Sequence, residues 1–206
     1  TVPVFMALFF TGTIGLVYIV GIDPQIVIEV LYRSMDKFAL VVVMFFVLCG
    51  NIMTTGSIVE KLIKSANIMV GFLPGGLAMA GVLACGFFGA ISGSTVATVV
   101  AIGGFMIPAL LENGYDEKFS VGIMTTAPIL GVIIPPSIAM ILYAMVSNDP
   151  LEALFLTGFI PGLLIIVGMC LYAYFVCKKQ GLKTLKKPTL REALAVLRVS
   201  GWALFL

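Results

Sequence analysis

Residues 65 to 111 form an unbroken run of 47 residues without a charged side chain. The whole chain is 61% hydrophobic and only 11% charged, whereas soluble domains carry about 25% charged residues. A membrane-spanning helix needs about 20 residues, so this run has room for two helical segments. The chain is therefore predicted to be an all-α integral membrane protein with several membrane helices.

A polar break, Ser92-Gly93-Ser94, divides this run and predicts helices over residues 77–91 and 95–110. Helices of this length reach about 24 Å, which is short of the ~30 Å hydrocarbon core. The pattern predicts a re-entrant helical hairpin over 75–111 whose tip is buried in protein or lines a cavity. Two short spans with an external turn also fit, although the fifteen residues on either side hold no Asn, Asp or charge.

A second apolar segment, residues 119 to 148, is interrupted by Pro128, Gly131 and the pair Pro135-Pro136. Proline has no N–H and clashes with the carbonyl four residues earlier. The prolines are therefore expected to release three carbonyls, those of Met124, Gly131 and Val132. This pattern predicts a broken helix over 119–147 that is unwound near residues 131 to 137.

Charged residues divide the remaining chain into further segments. These are a membrane helix over 1–22, a short surface helix that starts at Asp23-Pro24, an apolar segment over 38–53, an amphipathic helix over 57–71, and a membrane span over 154–177. The amphipathic pattern fits a helix at the membrane surface, and it also fits a frayed end of the preceding span.

Basic residues are concentrated near the end of the chain. Seven of the twelve Lys and Arg residues lie there, namely Lys178, Lys179, Lys183, Lys186, Lys187, Arg191 and Arg198. Basic loops beside membrane segments stay on the cytoplasmic side. Residues 178–200 are therefore predicted to be cytoplasmic, and the hairpin is predicted to open toward the same side.

The two breaks offer oxygen atoms in an otherwise apolar chain. The ligands available are the hydroxyls of Ser92, Ser94, Thr95 and Ser137 and the carbonyls of Gly93, Gly131 and Val132. Sodium favours such hard oxygen ligands, and discontinuous helices form the binding sites of secondary transporters. The helix that starts at Thr95 points its positive N-terminal end at the tip, which suits an anion.

Two blocks, GAISGSTVATVVAIGGFMIPALLENGY (89–115) and LGVIIPPSIAMILYAM (130–145), resemble the large permease subunit of TRAP transporters. Weaker similarity extends over residues 45–66 and 155–169. The resemblance implies a sodium-coupled elevator transporter of the bacterial inner membrane that imports organic anions such as C4-dicarboxylates or sialic acid. Its implied partners are a small membrane subunit and a periplasmic substrate-binding protein, with Na⁺ as coupling ion and no other cofactor.

The resemblance also implies roles for individual residues and segments. The sodium site would comprise Ser92, Gly93, Ser94, Gly131, Val132, Pro135 and Ser137, and the substrate site would comprise Ser94, Thr95 and Thr98. Scaffold helices and an arm helix would occupy 1–71, the transport segment 72–148, a membrane helix 149–177, and a cytoplasmic linker with the start of the next segment 178–206. The chain holds one hairpin and one broken helix, so it corresponds to the first of two inverted repeats.

Three other functions are alternatives to transport of this kind. The absence of histidine excludes Ser–His and HExxH enzymes, and Asp and Glu lie only in connections, so no enzyme activity is expected. A non-transporting packing subunit would use Gly93, Gly103 and Gly104 for helix contacts. An ion-coupled carboxylate carrier without a binding protein would share the same hairpin. No nucleic-acid partner is expected in any of these cases.

Overall fold

The computed structural model describes residues 3–55 and 58–180, and the regular structure in these two ranges is entirely helical. The described part of the chain forms α1 (Val4–Ile19), α2 (Pro24–Met35), α3 (Phe38–Thr55), α4 (Ile58–Val70), α5 (Gly76–Ser92), α6 (Thr95–Glu112), α7 (Glu117–Ile133), α8 (Ile138–Ser147) and α9 (Leu151–Gln180). The predicted all-α class is confirmed. Most of the predicted linker, residues 181–206, lies outside the described residues.

Two helices begin at an aspartate that caps their first turn. The Asp23 side chain accepts a hydrogen bond from the Gln25 N–H at 2.9 Å, and Pro24 occupies the first position of α2. The Asp116 carboxylate likewise accepts from the Phe119 N–H at 3.1 Å at the start of α7. Such caps satisfy N–H groups that have no partner within the helix. The predicted helix start at Asp23-Pro24 is confirmed.

The described helices form two compact units that divide between Val42 and Val43, within α3. The second unit has an apolar core with α5 at its centre, against which α4, α7 and α9 pack. Ala78, Ala80 and Ala84 of α5 are fully buried. Their small side chains allow neighbouring helices to approach α5 closely, as small residues do between membrane helices.

Helix α4 matches the amphipathic segment predicted over 57–71. Its apolar face, including Leu62 and Ala66 with no exposed surface, packs against α5. Its polar face carries Glu60 and Lys64, which are exposed and lie 3.8 Å apart as an ion pair. The function of this helix as an arm between scaffold and transport segments stays a prediction.

Two described helices, α6 with 18 residues and α9 with 30, are each long and apolar enough to cross a membrane. The number rises to four if α2 with α3 and α7 with α8 are each counted as one bent span. Helix α9 contains the predicted span 154–177. Helix α6 ends two residues later than predicted and reaches about 27 Å, so its length alone does not distinguish a crossing helix from the arm of a re-entrant hairpin.

The break in the second segment is shorter than predicted. Pro128 lies in a 3₁₀ turn, Ala127–Ile129, within α7, so it changes the helical pitch without ending the helix. Gly131 and Val132 lie in the last turn of α7, where an unwound backbone was predicted, and only residues 134 to 137 are non-helical. The reason is local, because a proline disfavours the helical conformation of the residue before it. Ile134 accordingly has φ −81° and ψ 125°.

Candidate ion and substrate site

The predicted hairpin tip is a turn of two residues between α5 and α6. Gly93 ends α5 with φ +60°, and its N–H donates to the Gly89 carbonyl at 2.7 Å. A positive φ is cheap only for glycine, which explains the residue at this position. Ser94 is extended, and its hydroxyl accepts from the Ala97 N–H at 3.4 Å as the cap of α6. The sequence Ser-Gly-Ser therefore stops one helix and starts the next.

Three oxygen atoms cluster at the tip. The Ser92 hydroxyl lies 3.5 Å from the Ser94 carbonyl oxygen and 3.4 Å from the Thr98 hydroxyl. The Thr98 hydroxyl donates to the Ser94 carbonyl at 2.7 Å. Ser92 and Thr98 are buried, with 1% and 0% of their surface exposed. Oxygen ligands held at about 2.4 Å from a cation and about 90° apart lie about 3.4 Å from one another, so Ser92 has two neighbours at that spacing.

The break between α7 and α8 supplies a second set of backbone oxygens. Neither Pro135 nor Pro136 has an N–H, so the carbonyls of Gly131 and Val132 lack the donor that a continuous helix would provide. Ser137 is fully buried, and its hydroxyl accepts from the Met140 N–H at 3.5 Å as the cap of α8. This distance is long for a hydrogen bond, so the Ser137 oxygen is only weakly hydrogen-bonded.

The structure brings the tip and the break into direct contact. The Gly93 carbonyl accepts a hydrogen bond from the Ile138 N–H, the first of α8, at 3.3 Å. A Cβ atom added at Gly93 would lie 3.2 Å from the Pro136 carbonyl oxygen. A Cβ atom added at Gly131 would lie 3.3 Å from the Ser94 carbonyl oxygen. The two discontinuities, which are about 40 residues apart in sequence, therefore form one junction.

Thr95 follows the tip and has a buried hydroxyl oxygen without a hydrogen-bond partner. Among the described residues, the only other buried side-chain oxygen of this kind is that of Asn67 in α4. A buried polar atom without a partner costs about 1–3 kcal/mol. An ion, a water molecule or a polar substrate group at the tip would recover this energy.

The N-terminal ends of two helices meet at the junction. Helix α6 begins beside Ser94 and helix α8 begins beside Ser137, which lies next to the hairpin tip through Ile138. Each helix start carries a partial positive charge from unpaired N–H groups. No Lys or Arg occurs within residues 65–111 or 119–148. Helix ends are therefore the positive groups that these two segments bring to the tip.

Most of the predicted site residues lie at this junction. Ser92, Gly93, Ser94, Thr95 and Thr98 surround the tip, and Gly131 and Ser137 lie on either side of the break. Pro135 is buried and directed toward α9, because its Cδ atom lies 3.4 Å from the Cβ position of Gly158. Val132 is half-buried in the last turn of α7.

Four glycines at the junction were not predicted from the sequence. Gly50 of α3 contacts Ser92, and its added Cβ would lie 3.3 Å from the Ser92 Cβ. Gly89 of α5 meets Gly131, while Gly158 and Gly162 of α9 meet the residues of the break. The spacing of Gly158 and Gly162 is the small-xxx-small pattern of close helix contacts in membranes. This pattern is the sequence signal that could have identified Gly158 and Gly162.

Comparison with known proteins adds an independent observation. Residues 1–206 match the family model of the tripartite ATP-independent periplasmic transporter, DctM component. The chain is 37% identical over 190 residues to the C4-dicarboxylate TRAP transporter large permease protein DctM of Rhodobacter capsulatus, which covers 85% of this chain and 43% of that protein.

Two further relatives carry other substrates in their names. The chain is 33% identical over 196 residues to the sialic acid TRAP transporter large permease protein SiaM of Vibrio cholerae, covering 95% of this chain and 46% of the relative. It is 35% identical over 204 residues to the isethionate TRAP transporter permease protein DctMQ of Oleidesulfovibrio alaskensis, covering 98% and 32%. The chain therefore spans less than half the length of these relatives.

Proposed function

Because the chain belongs to the DctM family of tripartite ATP-independent periplasmic (TRAP) transporters, we propose that it supplies half of the ion and substrate site of a large permease subunit. The family consists of transporter permeases, and the chain is a multi-pass membrane protein. The proposed transport is sodium-coupled import of a small organic anion such as a C4-dicarboxylate or sialic acid.

The observation that carries the proposal is the junction of the hairpin tip with the broken helix. It gathers the Ser92 and Thr98 hydroxyls and the Ser94 carbonyl within 3.5 Å of one another. The proposed sodium ligands are drawn from Ser92, Gly93, Ser94, Gly131, Val132 and Ser137. Pro135 contributes by releasing the Gly131 carbonyl, since its own ring is directed toward α9.

Sodium fits this junction better than a proton does. Proton relays in membrane proteins use Asp, Glu or His side chains. The chain has no histidine, and the segments 65–111 and 119–148 contain no Asp or Glu. Oxygen atoms from hydroxyls and carbonyls, by contrast, are the ligands that hard cations prefer.

The substrate is proposed to bind beside the ion, at a site formed by Ser94, Thr95 and Thr98. C4-dicarboxylates, sialic acid and isethionate, which are named for the relatives, all carry negative charge at neutral pH. The positive start of α6 would attract such a group. The Thr95 hydroxyl, which is buried without a partner, would donate to it. Thr98 is committed to the Ser94 carbonyl, so its proposed contribution is to orient that carbonyl.

The remaining features of the proposed system are taken from the resemblance to the family and, for its orientation, from the basic residues after α9. A small membrane subunit and a periplasmic substrate-binding protein would complete the transporter in the bacterial inner membrane, with residues 178–200 on the cytoplasmic side. The hairpin would re-enter the membrane, and an elevator movement would carry the site across it. A second inverted repeat would complete the site near the midplane.

The test uses the full-length permease that contains this chain. Its thermal unfolding in detergent is compared between sodium and potassium at equal ionic strength. An ion that binds only the folded state stabilises it by about 2.7 kcal/mol at a hundredfold excess over Kd. We expect sodium-specific stabilisation in the parent, and we expect Ser92→Ala to abolish it.

Ser120→Ala is the matched control for this substitution. Ser120 is also fully buried and its hydroxyl also donates to a backbone carbonyl, that of Asp116 at 2.8 Å. It lies about 20 Å along α7 from the break, so the sodium effect should survive its replacement. Equal sodium stabilisation in Ser92→Ala and the parent would place the ion elsewhere. No sodium-specific effect in the parent would favour a packing subunit or proton coupling.

A further inference from the structure

Helix α9 contacts the break through two glycines that lie one turn apart. A Cβ atom added at Gly158 would lie 2.5 Å from the Ile133 carbonyl oxygen and 2.6 Å from the Met140 Cε. A Cβ atom added at Gly162 would lie 2.6 Å from the Ile134 Cγ1. Carbon atoms normally approach to about 3.5–4.0 Å. The break therefore packs directly against the backbone of α9. A methyl group at either glycine would overlap with atoms of the break.

The position of the break depends on these contacts because its residues form few backbone hydrogen bonds of their own. Pro135 and Pro136 have no N–H, so helical hydrogen bonds cannot fix residues 134 to 137. On one side the segment is held by the hydrogen bond between the Ile138 N–H and the Gly93 carbonyl. It is also in contact with Gly158 and Gly162 of α9. A change in how closely α9 approaches would therefore change the distance between the break and the hairpin tip.

We propose that Gly158 and Gly162 are positioning residues of the sodium site. By lacking side chains, they set the depth of the Ile133–Pro135 backbone and thereby the separation between the carbonyls of the break and the oxygen atoms of the tip. Neither glycine touches the ion. The proposal rests on the proposed function, since it assumes that sodium binds where the tip meets the break.

The expected effect of Gly158→Ala follows from the size of the overlap. The Ile133 carbonyl belongs to the backbone and cannot rotate away, so it must move by about 1 Å to restore an ordinary contact. Binding sites require their ligands to be held within about 0.5 Å of the productive geometry. Loss of support behind metal ligands typically weakens metal binding about 10- to 100-fold. We expect a loss of sodium affinity in this range.

The ratio of sodium to lithium affinity is a second readout. A substitution that only destabilises the fold would not change this ratio. Selectivity between cations of different size depends on cavity size and ligand number. Moving the break relative to the tip changes the cavity, so Gly158→Ala should alter the ratio of sodium to lithium affinity. A substitution that only loosened the fold would lower the unfolding temperature equally in sodium, lithium and potassium.

The experiment measures thermal unfolding of the purified full-length permease as a function of sodium or lithium concentration. Gly168→Ala is the matched control, because it lies on the same helix and no atom comes within 4 Å of its added Cβ. We expect Gly158→Ala to lower sodium affinity at least tenfold and Gly168→Ala to leave it unchanged. Gly162→Ala provides a second variant if Gly158→Ala does not fold, because the atoms its Cβ would meet belong to the side chains of Ile134 and Ile133.

The outcomes separate the two proposals. If the parent binds sodium and Ser92→Ala does not, but Gly158→Ala and Gly162→Ala keep the parent affinity and the parent sodium-to-lithium ratio, the positioning role is wrong and the proposed function stands. If the parent itself shows no sodium-specific stabilisation, both proposals are overturned. A selective loss of sodium affinity in the α9 variants, with Gly168→Ala unaffected, supports the positioning role.

Discussion

Gly89→Ala tests the contact on which the junction depends. Gly89 lies in the last turns of α5, and a Cβ atom there would be 2.7 Å from the Gly131 Cα and 2.8 Å from the Gly131 backbone nitrogen. Both atoms belong to the backbone of α7, so no side-chain rotation can make room. The substitution therefore requires α5 and α7 to separate by about 1 Å, because ordinary carbon contacts are about 3.5–4.0 Å.

Two opposing effects determine the free energy of unfolding of this variant. Alanine is favoured over glycine within a helix by about 1 kcal/mol. Overpacking of a close contact typically costs about 1–3 kcal/mol, and backbone against backbone belongs at the upper end. Separation of the helices would also stretch the 3.3 Å hydrogen bond between the Ile138 N–H and the Gly93 carbonyl, which contributes about 1 kcal/mol. The net expectation is a loss of about 2–3 kcal/mol.

The assay is denaturant unfolding of the full-length permease in detergent micelles, in potassium so that ion binding does not contribute. Gly104→Ala in α6 is the control, because Gly104 is exposed and no atom lies within 4 Å of its added Cβ. This variant should gain up to about 1 kcal/mol from helix propensity. The reasoning therefore predicts opposite signs for the same substitution in two adjacent helices. A Gly89→Ala variant as stable as Gly104→Ala would refute the close approach of α5 and α7.

Two further predictions concern single hydroxyl groups. Thr95→Val removes the buried hydroxyl that has no partner, so stability without ligand should be unchanged or about 1 kcal/mol higher, whereas substrate affinity should fall roughly tenfold; equal affinity by calorimetry would contradict a substrate contact. Burial raises the pKa of Tyr115 from 10.0 to about 12, so the unfolded chain loses this proton first and stability should decrease as pH rises from 10 to 12. Tyr115→Phe should show a shallower decrease, and an equally steep one would exclude Tyr115 as the titrating group.

The positions of the breaks could be predicted because they depend on local backbone chemistry. Gly93 ends α5 through its positive φ, and Ser94 starts α6 as its cap. Pro135 ends α7 at the residue before it, since a proline restricts its predecessor. The same rules wrongly predicted that the backbone unwinds from residue 131. They also predicted that Pro128 interrupts the helix, whereas the helix continues through it. A 3₁₀ turn accommodates Pro128 because only one helical hydrogen bond has to be rearranged.

The contacts between segments could not be predicted from these local rules. That Gly93 bonds to Ile138, or that Gly158 lies against the Ile133 carbonyl, depends on how separate helices pack. The sequence does not show what surrounds each glycine. Gly104 and Gly168 face open space, whereas Gly89 and Gly158 contact backbone atoms. Only the spacing of Gly158 and Gly162 carries a signal, and that signal indicates a close contact without identifying its partner.

The charge distribution at the junction gives a physical reason for the proposed coupling between ion and substrate. Residues 65–111 and 119–148 bring the partial positive ends of α6 and α8 to the junction but no Lys or Arg. An organic anion moved from water to such a site loses much of its hydration, and helix ends repay only about 0.3–2 kcal/mol each. A sodium ion bound at the Ser92 and Ser94 oxygens would add a full positive charge within the same junction. Coupling of this kind is reciprocal, so substrate should raise sodium affinity by the same factor by which sodium raises substrate affinity.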